Sequence, residues 1–285
     1  MSLFVLFLIT FAIGQDVETT EAPETKPTIK NEKPKPLPKY EFGLGYIFGD
    51  IPDYPGANEK TIRSFPIPYF VYRGDVLQAE RGGIRTRFLK GKYYEYDFSF
   101  SGAFPANSSD NDAREGMSDL GWMFEAGPQL KLFLLKSKVQ NWTVKLPVRA
   151  IFSLDDGQIH GRGYSFNPSL QISFPKFPFK RNILSLGFTT DFATKKTHEY
   201  FYEVRQKDVT ADRPLFSAQK GLLGSSIDVT LITSWSKYAV FINTNFSFYG
   251  EAKNKDSPLH LDNQTQSVAA GFIWSFYQSK DQGFR

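Results

Sequence analysis

The residue types that most often carry catalysis are few and scattered in this chain. Its 285 residues include no cysteine, which excludes disulfides, thiolate metal sites and cysteine nucleophiles. The three histidines, His160, His198 and His260, are far apart and show no paired metal-ligand spacing. No G-x-S-x-G segment marks a serine nucleophile. We therefore expect no cofactor, no metal site and no catalytic residue, although a serine and a histidine could still meet in space, as in a barrel-embedded hydrolase.

The remaining candidate functional residues are charged side chains that alternate with apolar ones. They are Glu95, Asp97, Glu125, Lys131, Lys145, Arg149, Asp191 and Asp228. Alternation with a period of two is typical of a β-strand, whose successive side chains point to opposite faces. If the apolar face meets lipid, the charged face lines the lumen of a barrel. Two roles are then open: the charges pair with one another and fill the interior, or they line a narrow path for small solutes.

The same alternation recurs along the chain and predicts the elements that hold these side chains. Eleven segments show it, at residues 42–48, 62–72, 76–89, 94–101, 122–134, 142–152, 164–174, 184–192, 226–235, 238–248 and 267–276. Many approach the ten residues that a tilted transmembrane strand needs. Residues 198–204 could supply a twelfth, since single-chain barrels have even strand numbers.

Aromatic residues favour a membrane barrel over a soluble β-sandwich. They make up 16% of the chain, and the apolar face of the strands is the more continuous one. Trp122, Trp142, Trp235 and Trp274 lie at strand ends, as an interfacial girdle requires. The predicted fold is all-β: a single antiparallel transmembrane β-barrel of about 12 strands.

The ends of the chain differ from this pattern. Residues 3–13 are an apolar run of signal-peptide length, although no lysine or arginine precedes it, so we assign residues 1–14 as a signal peptide for export. Residues 15–39 are rich in proline and lysine and predict an extended periplasmic linker. It serves as a spacer or as an arm that touches an anionic polymer or protein. The barrel then covers residues 40–277, and 278–285 form a tail.

Loop lengths fit a barrel incompletely when they are counted from the sequence. Bacterial barrels keep periplasmic turns short and outer loops long. Residues 234–237 and 250–266 follow this rule, but the long segment 103–118 falls on the periplasmic side when strands are counted from the first.

The acidic part of this long segment, residues 108–115, lacks calcium-loop spacing and is expected to be a solvated loop. Gly82-Gly83 is expected to form a bulge.

Several stretches resemble the MipA/OmpV family of outer-membrane proteins. They are GLGYIFGDIPDYPGANE at residues 43–59, SFPIPYFVYRG at 64–74 and ERGGIRTRFL at 80–89, followed by EYFYEV at 199–204 and SVAAGFIWSF at 267–276. The motif residues are Pro52, Asp53, Tyr54, Gly56, Arg81, Gly82 and Gly83. Unlike family chains that end on the aromatic residue of the last strand, this one continues beyond Phe276, and the arm is also an addition.

The resemblance implies a barrel in the Gram-negative outer membrane. The family is named partly for a member that scaffolds murein-synthesising and murein-hydrolysing enzymes, and other members are described as porin-like or adhesive. The implied partners are the lipid bilayer and a periplasmic murein-modifying enzyme or peptidoglycan. No nucleic acid partner is expected, because the net charge is only +4. The resemblance carries no catalytic residues. It leaves a non-enzymatic scaffold as the first function, a narrow porin-like channel as the second and a hydrolase as the third.

Overall fold

A computed structural model describes residues 38–73, 77–80, 83–86 and 91–280. In this part of the chain nearly all regular structure is β-strand. The strands are β1 Tyr40–Pro52, β2 Lys60–Arg73, β3 Leu77–Glu80, β4 Gly83–Thr86, β5 Tyr94–Ala103, β6 Trp122–Lys136, β7 Asn141–Asp155, β8 Gln158–Phe166, β9 Ser169–Pro175, β10 Asn182–Ala193, β11 Gly221–Ser234, β12 Tyr238–Phe248 and β13 Gln264–Gln278. The α-helix α1, Lys195–Tyr202, lies between β10 and β11. No helix in the described ranges is long and apolar enough to cross a bilayer.

The strands form one antiparallel sheet that closes into a barrel with twelve positions. Neighbours follow the order β4-β3-β2-β1-β13-β12-β11-β10-β8-β7-β6-β5, and β4 lies beside β5. Strands β8 and β9 share one position, because both pair with β7 and with β10. They are separated at Asn167 and Pro168, where the proline has no N–H to give to a ladder. The predicted fold and strand number are confirmed.

Two details of the predicted strand count were wrong and compensate each other. Residues 198–204 are not a strand, since most of them belong to α1, whose buried residues Thr197, His198, Phe201 and Tyr202 follow helical spacing. The segment 76–89 is not one strand but the hairpin of β3 and β4, with Glu80 paired to Gly83. The connection at Arg81 and Gly82 lies outside the described residues. The expected bulge at Gly82-Gly83 therefore lies partly outside the described residues and stays a prediction.

The extra strand removes the conflict in loop lengths. Four long segments, residues 53–59, 104–121, 194–220 and 249–263, now emerge from one end of the barrel, which we call the long-loop end. The turns 137–140, 176–181 and 235–237 lie at the opposite, short-turn end, together with Tyr40 and Gln278. The barrel thus follows the usual division between long outer loops and short periplasmic turns.

Side chains alternate between an apolar outer surface and the lumen. On β1, Phe48 is 52% exposed to the outside while its neighbour Ile47 is 9% exposed and faces inward. The inward face combines glycines with large rings. Gly43 pairs with Tyr69 and Gly271 with Phe241, so each ring lies over a residue without a side chain. A Cβ at Gly271 would stand 2.6 Å from Cε1 of Phe241. Alternating small and large residues let the lumen be packed without distorting the wall.

Candidate functional site

One wall of the lumen, made by β5 to β10, carries a connected network of polar side chains centred on Arg149. This guanidinium donates to Oγ of Ser99 at 2.9 Å, to Glu125 at 3.2 Å and to Asn167 at 3.2 Å. Asn167 in turn donates to Asp191 at 2.6 Å. Because Asn167 sits at the break between β8 and β9, the interruption places an amide where it joins the two charged groups.

The other predicted lumen charges lie on the same strands and on the adjacent strand β11. Lys131 contacts Asp97 closely and is 3.4 Å from Glu95. Lys145 of β7 and Asp228 of β11 are half-buried. All eight predicted residues are buried or half-buried, and Lys131 and Arg149 each lie next to acidic side chains. Such pairing satisfies buried charges that would otherwise be costly to desolvate.

The opposite side of the lumen contains an apolar cluster among polar side chains such as Glu41, Asn245 and Ser267. Ile47 of β1, Ile232 of β11 and Phe241 of β12 form a buried cluster, with Ile67 of β2 packed against it. Small residues on the intervening strand β13, Ala269 and Gly271, leave space for these side chains. The lumen thus holds a charged network on β5 to β10 and an apolar cluster formed by β1, β2, β11 and β12. The alternation in the sequence did not reveal this division, because it depends on which strands are neighbours.

The long-loop end is closed by a structure that we call the cap, formed by residues 53–59, 104–121, 194–220 and 249–263. Its apolar core contains the most deeply buried side chains of the described chain. Tyr202, Val204, Ala57, Ala218 and Leu259 each have no exposed surface, and Met123, Ile151 and Leu223 of the strands pack beneath them. The cavity between the cap and the lumen has a volume of about 40 Å³, which is room for roughly three water molecules.

The family motif at residues 52–56 forms the junction of the cap. Asp53 is 7% exposed and accepts hydrogen bonds from Thr61 at 2.7 Å, Arg63 at 2.7 Å and Asn111 at 3.2 Å. The carboxylate thereby joins the first cap loop to β2 and to the second loop. Pro52, the last residue of β1, leads directly into this turn.

The next residues of the motif reach the other two loops. The Pro55 carbonyl accepts from the Tyr202 hydroxyl at 2.9 Å. Gly56 has a positive φ of 79°, which favours glycine, and its carbonyl accepts from Leu261 N at 2.8 Å. Tyr54 is buried beneath the Arg114 guanidinium, 5.6 Å from the ring centre. The motif is therefore a structural hub. Of its other predicted residues, Arg81 and Gly82 fall outside the described ranges, and Gly83 begins β4.

The acidic segment 108–115 is only partly the solvated loop that the sequence predicted, because its carboxylates Asp110, Asp112 and Glu115 are exposed while other residues are not. Ser108, Asn111 and Arg114 are buried in the cap. Arg114 donates to the Phe201 carbonyl at 3.2 Å and to the Ser118 carbonyl at 3.1 Å. Burial lowers the pKa of this guanidinium, while carbonyl oxygens and the Tyr54 ring surround its charge. Composition alone suggested exposure, but the arginine anchors the segment between loops that are distant in sequence.

His198 joins α1 to the last cap loop. Its Nδ1 accepts from Asn254 Nδ2 at 2.7 Å, and its Nε2 lies 3.2 Å from the Gly221 carbonyl, which fixes the neutral tautomer with the proton on Nε2. Asn254 also accepts from Gln219 N at 2.8 Å. Burial lowers the pKa of His198 to about 4. The residue is thus a structural histidine, kept neutral by its surroundings.

Groupings that would support chemistry do not occur in the part of the chain that the structure covers. No three acidic or histidine side chains there come close enough to hold a metal ion. The hydrogen-bond partners of His198 are an amide and a carbonyl, and His260 Nε2 lies 3.3 Å from Asn263 Oδ1. Neither imidazole contacts a serine hydroxyl in the described residues. The described histidines of the cap thus contribute to the packing that closes the long-loop end.

Comparison with known proteins agrees with the motif and the fold. The family model described as "MltA-interacting protein MipA" matches residues 42–276. No curated protein matches the chain. Among solved structures, the NanC porin is similar at 9% identity, covering 81% of this chain and 98% of its own, with a TM-score of 0.39. A bacterial polysaccharide outer membrane secretin is similar at 6% identity, covering 84% and 98%, with a TM-score of 0.38.

A Pseudomonas aeruginosa FadL homologue is also similar, at 6% identity over 84% of this chain and 90% of its own, with a TM-score of 0.31. These structural likenesses are too weak to say anything about function. The family match is of a different kind, because it spans nearly all the described strands and includes the cap's junction at residues 52–56. The chain belongs to the MipA family.

Proposed function

We propose that this protein is an outer-membrane barrel with a closed lumen that acts as a non-enzymatic scaffold for a periplasmic partner. The observation that carries the proposal is the cap, whose four loops share a fully buried apolar core over the lumen. A loop that only narrows a pore does not need such a core. Burial of this much apolar surface favours a single closed arrangement.

The paired lumen charges support the same function. Arg149 and Lys131 each bind acidic side chains of neighbouring strands, so these charges are occupied within the wall. A closed barrel whose interior charges are paired does not conduct solutes, so its function depends on its surfaces. The surface left for this function is the end of the barrel that faces the periplasmic partner.

The short-turn end is the surface that we assign to the periplasm, since periplasmic turns of bacterial barrels are short. Strand β1 begins there at Tyr40, so the segment 15–39 joins the barrel at this end. The family description names MltA as an interacting protein, and the resemblance implies murein-modifying enzymes or peptidoglycan as partners. We therefore assign the arm as the contact surface for this partner.

A binding experiment with purified MltA tests this assignment. The full chain, reconstituted in detergent micelles, is expected to retain MltA on an affinity resin. A variant in which residues 15–39 are deleted should lose most of the retained MltA. Heat-modifiable gel mobility shows in parallel that the variant barrel is folded.

A matched control separates the sequence of the arm from its length. Replacing residues 15–39 by a glycine-serine segment of equal length keeps the spacing and removes the lysines and prolines. We expect the same loss as in the deletion. Undiminished retention of MltA by both variants would refute a role of the arm, and absence of retention by the full chain would refute MltA as the partner.

A further inference from the structure

The short-turn end of the barrel carries a ring of basic side chains. Nine cations lie on its described turns and strand ends: Lys39, Lys92, Lys136, Lys138, Lys176, Lys180, Arg181, Lys237 and Lys280. They come from the start of β1, the end of β13 and the four connections that precede β5, β7, β10 and β12. Among the described residues, the cations are therefore spread over the connections of this end and are not gathered on one side; the connection between β2 and β3 lies outside the described ranges.

Acidic side chains are missing from the same positions. Residues 38–39, 91–93, 136–140, 176–181, 235–237 and 279–280 contain none. Among the described residues, Glu41 near the start of β1 is buried inside the lumen, where it accepts from the Tyr69 hydroxyl at 3.1 Å. The cap loops at the opposite end differ, because their acidic residues outnumber their basic ones. The ring is a property of one end only.

Aromatic rings accompany these cations. Lys39 Nζ lies 5.9 Å from the ring centre of Tyr40, and Lys92 Nζ lies 5.2 Å from that of Tyr93. In the turn between β9 and β10, Phe177 and Phe179 are 54% and 72% exposed among three cations. Hydrogen bonds hold this turn, from Lys176 N to the Asn182 carbonyl at 2.7 Å and from Ser234 N to the Arg181 carbonyl at 3.0 Å.

We propose that this cationic ring binds the headgroups of anionic phospholipids in the leaflet that surrounds the short-turn end. Aromatic residues mark the level of the headgroups at a membrane interface, and cations at that level attract anionic lipids. A protein partner contacts a patch, whereas lipid surrounds a barrel on all sides, as the ring does. The proposal goes beyond the scaffold function and does not rest on it.

The test uses the full chain in bilayers of phosphatidylcholine and phosphatidylglycerol whose acyl chains are brominated in turn. Bromine quenches nearby tryptophans, and Trp235 and Trp274 are exposed to the bilayer at this end. The quenching gives the binding constant of phosphatidylglycerol relative to phosphatidylcholine. One cation near an anionic surface contributes about fivefold, so we expect the wild-type constant to exceed about five.

A fourfold variant removes part of the ring: Lys138→Gln, Lys176→Gln, Lys180→Gln and Lys237→Gln. Its relative constant should fall towards one. The matched control makes the same change of charge on exposed lysines of the cap, with Lys196→Gln, Lys207→Gln, Lys220→Gln and Lys255→Gln, and should keep the wild-type preference. Equal binding of the two lipids by the wild type, or an unchanged preference in the fourfold variant, would overturn the proposal.

The salt dependence of lipid binding and the retention of MltA also test the ring. If the fourfold variant does not fold, the wild type is titrated with salt, and the preference must fall as the screening length shortens from about 10 Å at 0.1 M to about 3 Å at 1 M. A salt-independent preference contradicts a charged ring. If the wild type shows no lipid preference while the fourfold variant loses retention of MltA, the ring is a protein-binding surface and the lipid assignment is wrong.

Discussion

At the scale of single residues, His198 makes the closure of the cap sensitive to acid. In the closed cap burial lowers its pKa to about 4, whereas the ordinary value in an opened cap is about 6.5. Between these values the opened cap binds a proton that the closed cap does not. The free energy of closing the cap is therefore unaffected above about pH 6.5 and becomes progressively less favourable as the pH falls towards 4. The full difference is about 3 kcal/mol.

Amide hydrogen exchange of residues 194–220, corrected for the intrinsic effect of pH, measures this opening. The wild type should exchange faster at pH 4.5 than at pH 7, and His198→Gln should show a weaker pH dependence. His260, whose pKa burial also lowers, acts in the same direction and leaves part of the dependence in the variant. An identical pH dependence in both proteins would show that His198 does not control the opening.

At the scale of the strands, alternating residues made the barrel predictable because each strand lies between lipid and lumen. The sequence predicts one segment over residues 76–89 and not the β3–β4 hairpin, although glycines within such a segment can mark a turn. The EYFYEV stretch was misassigned because its aromatic residues are consecutive and contain no clear alternation. Tertiary contacts decided there: Phe201 and Tyr202 are buried together in the cap.

Strand packing predicts a specific sensitivity at Gly271. An added side chain would meet Phe241 Cε1 and the Tyr46 carbonyl oxygen, both 2.6 Å from an ideal Cβ. Overpacking of this kind costs about 1–3 kcal/mol. Gly271→Val should therefore lower the urea midpoint of unfolding in lipid vesicles, followed by heat-modifiable mobility. Gly161→Val is the control, because a Cβ at Gly161 meets no atom within 4 Å. Equal midpoints would disprove the tight fit.

At the scale of the whole molecule, the barrel was accessible from the sequence and the cap was not. Its core joins Tyr54, Leu120, Tyr202 and Leu259, which belong to four loops separated by long stretches of chain. No local pattern links such residues. Tyrosines and leucines in long loops were the available signal, since loops are usually polar and solvated. The charged lumen residues were found because they follow strand alternation, while their pairing required the strand order.

The cap predicts how the conductance of the barrel responds when a long loop is shortened. The wild type should be silent in a planar bilayer, because the cap closes the long-loop end. Replacing residues 195–219 by a short glycine-serine linker removes α1 and much of the apolar core, while the ladders of the barrel remain. We expect this variant to conduct, because the cap no longer closes the long-loop end and the hydrogen bonds of the Arg149 network stay within β5 to β10.

The open variant should also prefer cations. Five acidic and three basic side chains line the charged wall: Glu95, Asp97, Glu125, Asp191 and Asp228 against Lys131, Lys145 and Arg149. A reversal potential in a salt gradient measures the preference, and adding Arg149→Gln should increase it. In the control, residues 15–39 are removed and the cap is left intact. This control should stay silent. Steady conductance of the wild type would show that the cap is not the barrier, and the channel function would then replace the scaffold.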